Sequence, residues 1–208
     1  MVLETLISIN GTKDTPVKDI TISGITFRDA ADITMEPWGV PSGGDWGLYR
    51  GGAIFIEGAE GVTVTDNTLT RLDGNAVFVS GYTRHVNITD NEFSWIGCNP
   101  MASWGYTDEN DGTDGQQPRY TYVARNYVHE FGHYQKQSSM WSNNKACLAQ
   151  VEGNVVFNGP RAGINQVSSP DLLTQHTVEE NAELIWPRIA EQSASLARRN
   201  RKIITELL

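Results

Sequence analysis

Apolar and polar residues alternate along most of the chain, in short bursts rather than long helical periods. Five bursts share one pattern: Val17–Phe27, Gly61–Leu69, His85–Phe93, Thr121–Val128 and Ala149–Val156. Each alternates, reaches a small or Asn turn residue, and resumes on an apolar residue. Alternation at period two marks a strand with one buried face. The turn slot holds Asn67, Asn91, Asn126 and Asn154, with Ile25 in the first burst. The Asn residues lie 24, 35 and 28 positions apart, and Ile25 precedes Asn67 by 42. A base period of about 24 with insertions accounts for all four gaps and lies within the range of solenoid repeats. The insertions are the Gly- and Trp-rich stretches Glu36–Arg50 and Asn99–Pro118.

A second kind of short strand lies between the bursts, at Gly52–Glu57, Asn75–Ser80 and, more weakly, Ala162–Asn165. Several short strands per repeat, with Asn at a fixed phase, predict a parallel β-helix. Stacked Asn side chains can bond from coil to coil, as in other in-register ladders. A β-sandwich also spaces its strands regularly, but gives no reason for Asn to recur at one phase. Val64, Ile88, Val123 and Val151 should then form one inward column.

The pattern changes at Ser168. Residues 168–208 read as an α-helical tail, with Ser169 or Asp171 as caps and Val178, Ala182, Ile185, Ile189, Leu196 and Ile203 as an imperfect stripe. The expected division is a β-helix over 1–167 and a tail over 168–208. That tail should fold back over the last coil.

Composition narrows the function. Of 208 residues, 39% are hydrophobic and 20% charged, enough apolar material for a core and against full-length disorder. The net charge of −9 disfavours a general nucleic-acid binder, which needs a basic face. No apolar run approaches the roughly 18 residues of a membrane span. Cys98 and Cys147 could pair once or stay free, and two free, partly buried thiols are the expectation. The N-terminus has no basic region or apolar stretch of a secretory signal. The chain is therefore expected in the cytoplasm, or outside the cell if it is a piece of a secreted precursor.

The stretches Pro16–Phe27, Arg50–Phe55, Gly74–Phe78, Tyr134–Ser139 and Asn158–Asn165 resemble the right-handed parallel β-helix proteins of the pectate-lyase-like superfamily. The resemblance covers roughly residues 3–165. It implies an all-β right-handed solenoid, here of about five to six coils. Some members are polysaccharide lyases or glycoside hydrolases, and many have no demonstrated activity. Chains of this branch are longer at both ends, so the sequence reads as a truncated piece with a divergent tail.

The densest chemistry is His129-Glu130-Phe-Gly-His133-Tyr134-Gln-Lys136. A lyase needs a base beside a uronate carboxylate and a positive group to neutralise it. His129 and Lys136 are base candidates, and Arg161, Arg50 and Arg71 supply positive charge. Glu130 shares a repeat column with Asp29, Arg71, Trp95 and Asn158. Coils about 4.8 Å apart would turn that column into a polar, partly aromatic surface stripe. His133, Tyr134 and Trp95 are substrate-binding candidates. Hydrolysis instead needs two carboxylates, about 5–5.5 Å or 6.5–9.5 Å apart. Asp73, Glu130 and Asp45 are candidates, with Asp114 more remote, although Asp73 precedes Gly74-Asn75 and fits a turn.

No metal or cofactor is expected. Asp108–Gly115 is only a weak calcium candidate, because the acidic spacing of an EF-hand is missing. His129 and His133 lack the helix of the zinc motif. Trp38, Trp46, Trp95, Trp104 and Trp141 serve either as sugar platforms or as covers for strand ends. The expectation is a carbohydrate-active lyase or hydrolase acting on a polysaccharide or oligosaccharide, without nucleic-acid or membrane partners. The alternative is a non-catalytic carbohydrate-binding or structural module.

Overall fold

The structure, a computed structural model, describes residues 3–31, 33, 36, 37, 39, 47–108, 111–167, 173–175 and 178–180. Its described residues form an all-β fold of three sheets of parallel strands. The first sheet stacks Ile7–Asn10, Ile54–Glu60, Val77–Arg84, Met101–Trp104, Ser139–Asn144 and Ala162–Val167. The second stacks Thr21–Ser23, Thr63–Thr65, Asn87–Thr89, Tyr122–Ala124, Gln150–Glu152 and Leu173–Gln175. The third stacks Thr26–Arg28, Thr68–Leu72, Glu92–Ile96, Tyr127–Phe131, Val155–Phe157 and Val178–Glu180. The chain visits the three sheets in turn and comes back one rung along, which is compatible with a parallel β-helix.

The alternating bursts become the second and third sheets. Val64, Ile88, Val123 and Val151 pair in register and are at most 1% exposed, so they form the expected inward column. Leu69, Phe93 and Val128 form the equivalent column of the third sheet.

The Asn ladder holds the corner between these sheets. The Asn67 backbone N–H and side-chain amide both donate to Asn91 Oδ1 at 3.0 Å. Asn91 repeats this toward Asn126, and Asn126 toward Asn154. The four are at most 2% exposed. The side chains pair backbone groups that a tight corner would leave unsatisfied in the interior. A second, shorter ladder was not anticipated. Asn99 donates to Asn75 Oδ1 through both its backbone N–H and its amide, and Asn99 Oδ1 accepts the Ser139 N–H.

Each of five coils contains three residues with left-handed backbone, five positions apart. They are 19-24-29, 61-66-71, 85-90-95, 120-125-130 and 148-153-158, with φ between 47° and 70°. Only Gly24, Gly61 and Gly153 are glycines. A left-handed conformation costs an L-residue roughly 1–2 kcal/mol. Its recurrence in every coil identifies it as corner geometry rather than strain local to one site. The corners point side chains outward, where neighbours on adjacent rungs pair: Asp90 with Arg125 at 2.7 Å, and His85 stacked on Tyr120 at 4.8 Å. Leu148 takes this conformation while 40% exposed. Leu148→Gly is therefore expected to change stability by no more than about 1 kcal/mol in urea unfolding, because relief of φ strain is offset by the lost packing of a side chain that is more than half covered.

The tail expectation is corrected where the structure describes it. Leu173–Gln175 pairs with Gln150–Glu152, and Val178–Glu180 with Val155–Phe157. Both are strands, so two sheets gain a further rung beyond residue 167. The register sets Thr174 opposite Val151 and Glu179 opposite Val156, positions that are apolar in earlier rungs, which hid the repeat. The expected helix at 168–172, 176–177 and 181–208 lies outside the described residues.

Candidate functional site

The candidate column lies at the end of the third sheet. Strand register aligns Arg28, Thr70, Ser94, His129 and Phe157. One position later stand Asp29, Arg71, Trp95, Glu130 and Asn158, all at left-handed corners. That is the stripe the repeat phase predicts. Its members engage one another more than the sequence suggested.

At one end, Arg71 donates to Asp29 through Nε (2.9 Å) and Nη2 (2.8 Å). Those bonds and the Arg28 guanidinium hold the Asp29 carboxyl below its ordinary range. Arg71 thus offers less net charge to a ligand than its formal charge implies.

At the other end, His129 lies parallel to the Phe157 ring at 5.2 Å and tilts against Tyr127 at 4.9 Å. Its Nδ1 meets the Glu130 carboxylate. Its Nε2 is buried without a hydrogen bond, 3.5 Å from Glu92 Oε1. Asn158 Nδ2 donates to Glu130 Oε1 at 2.6 Å. Burial pushes the Glu130 carboxyl up, but the bonds from Asn158 and His129 outweigh it and leave the group below its ordinary value. A carboxylate held ionised is poorly suited to act as a general acid. The arrangement is a closed network of His129, Glu130 and Asn158.

The exposed chemistry lies between. Trp95 is 55% exposed and its indole stacks on His133 at 5.3 Å, with the planes 6° apart. The following Tyr134 is 59% exposed. Lys136 is exposed and has no hydrogen bond or ion pair among the described residues. Backbone bonds from His133 to Ile96 O (3.3 Å) and from Tyr134 to Gly97 O (2.9 Å) fasten this segment to the preceding rung. Gly97 permits the approach: a Cβ there would lie 2.2 Å from Asp73 O and 2.7 Å from Tyr134 Cδ2. Asp73 is half-buried beneath this crossing, and Arg161 is exposed after the Asn158 corner.

Arg50 belongs elsewhere. It donates to Ser80 Oγ, Trp104 O and Gly105 O and lies 4.3 Å over Trp104 and 4.2 Å over Tyr106. It clasps the outer side of the first sheet beside the Leu48, Phe78 and Ala102 cluster. The tryptophans divide similarly. Trp141 is fully buried and donates to Ser103 Oγ, Trp104 is covered by Arg50, and Trp95 faces outward. Trp38, Trp46 and Asp45 lie outside the described residues.

The acidic insertion is tied down by cations through its backbone. Lys13 donates to Asp114 O, Arg84 to Gly115 O and Gln117 O, Arg119 to Gly112 O, and Lys145 to Thr107 O. Asp111 and Asp114 accept the N–H groups of Thr113 and Gln116, as turn-forming Asp residues do. Among the described residues no three His, Cys, Asp or Glu side chains group as metal ligands.

Tyr127, Phe157 and Glu92 join the site without having been candidates, and Asn158, expected only as a member of the column, donates to Glu130 there. The column register could have suggested Phe157, which falls one rung beyond His129. No protein-family model, curated protein or solved structure matches the chain.

Proposed function

We propose that the protein is a carbohydrate-active right-handed parallel β-helix of pectate-lyase-like type, binding a glycan across the corner that carries Trp95. The observation behind this reading is the Trp95–His133 stack, exposed beside Tyr134 on a rigid rung. Flat aromatic rings offer apolar area to the C–H face of a sugar at little entropic cost, and nearby polar groups orient its hydroxyls. Arg71 is paired with Asp29 and so offers little free positive charge at this corner. With a net charge of −9 on the chain, a neutral glycan suits the surface better than a polyanion.

Trp95→Ala is expected to weaken binding of the best ligand from a panel of neutral, pectic and alginate-type oligosaccharides by tenfold or more, since truncating a central aromatic anchor costs about 2 kcal/mol. Melting should change little, because the indole is exposed. Calorimetric titration of both proteins checks this, and unchanged affinity in the variant would sink the reading.

Catalysis has one observation in its favour: Lys136 extends from the same segment with its amine unengaged among the described residues. A lyase reading makes Lys136 the base, with Arg161 neutralising the uronate. Release of unsaturated product that disappears in Lys136→Ala would support it.

A further inference from the structure

A cavity of about 360 Å³ lies on the outer side of the first sheet, at its first two rungs. Ile9, Ile54 and Ile56 fill the core, so Ser8 and Phe55, paired across adjacent strands, face the other way and line the cavity. Leu6 and Ile33 add apolar wall, and Glu4 and Tyr49 bring polar groups. Arg50 also borders it, but its guanidinium is engaged by Ser80, Trp104 and Gly105 and lies over the Tyr106 ring.

Glu4 is the one carboxylate among the described residues that line the cavity. Glu4 is half-buried and makes no ion pair among the described residues; its Oε2 accepts from the Tyr49 hydroxyl at 3.5 Å. Burial and then the nearby charges of Glu4 and Glu36 push the Tyr49 hydroxyl above its ordinary value, which fits a negative local field. A partly enclosed carboxylate favours a cation that can come within hydrogen-bond reach. Phe55 and Tyr49 suit the C–H face of a saturated sugar ring, while Ser8 and Glu4 suit hydroxyl and ammonium groups.

We infer that this cavity is a second binding site, which takes a hydroxylated ring bearing a protonated amine: an amino sugar. It belongs to the first two rungs, whereas Trp95 and His133 extend from the third and fourth. The two sites therefore report separately.

The test titrates the full chain at neutral pH with D-glucosamine, D-glucose and D-glucuronate, followed by calorimetry or NMR. Glucosamine should bind about tenfold or more tightly than glucose, and glucuronate should bind least. Glu4→Gln should erase the preference for glucosamine, and Trp95→Ala should leave it intact. Ser8→Arg, a change at an exposed position, should repel the ammonium and give the same loss without touching Glu4. Equal affinity for glucosamine and glucose would overturn the inference. So would a glucosamine preference that survives both Glu4→Gln and Ser8→Arg, or one that vanishes in Trp95→Ala.

Discussion

Asn126→Leu is expected to destabilise the protein by about 4 kcal/mol, a drop in melting temperature on the order of 10 °C. The Asn126 side chain makes four hydrogen bonds at a position 1% exposed. Its Oδ1 accepts the backbone N–H and amide of Asn91, each at 3.1 Å. Its Nδ2 donates to Ile88 O and Asn154 Oδ1, each at 2.9 Å. Leucine matches the volume but leaves these partners unpaired in a water-excluded corner, at about 1–3 kcal/mol for each group that cannot find another partner. The interior position of the rung makes repair by solvent difficult. Urea unfolding followed by circular dichroism measures the change, and a loss below about 1 kcal/mol would mean that the ladder contributes little to stability.

Trp141→Ala should cost about 3–5 kcal/mol, because the site cannot collapse around so large a void. The side chain is fully buried among residues that include Met101 and Ile164, and its indole N–H donates to Ser103 Oγ at 2.9 Å. Trp141→Phe should recover much of the loss, since it keeps most of the apolar volume and removes only the N–H donor. This pair separates a core role from a sugar-platform role. At temperatures where the variant is folded, its glycan affinity should equal that of the original protein. Lost binding with unchanged melting would contradict the core assignment.

The periodic parts of the fold were legible because register repeats. Asn67, Asn91, Asn126 and Asn154 share a phase, and their inward neighbours alternate cleanly. The left-handed corners were not legible, since Arg71, Trp95 and Leu148 fill positions where glycine would have given the signal. The Asn75–Asn99 ladder was missed because the next rung supplies Ser139 instead of Asn. The strands at 173–175 and 178–180 were read as helix because Thr174 and Glu179 break the apolar column.

For the site, register predicted which residues share the corner but not how they pair. Glu130 had a clear column, yet nothing in the sequence indicated that Asn158 and His129 engage it. Arg50 sits beside Gly51-Gly52 and looked like surface charge, while the tertiary fold turns its guanidinium onto Trp104 and Tyr106. Likewise, periodicity could not distinguish Trp95, which faces outward, from Trp141, which fills the core.

Hydrogen–deuterium exchange of the full chain, with and without its best-binding oligosaccharide, tests the central claim most directly. The account predicts ligand-dependent protection concentrated in 92–97 and 129–136, and no such protection in Trp95→Ala. Binding that protects only other segments, or no binding by any glycan of the panel, would contradict it.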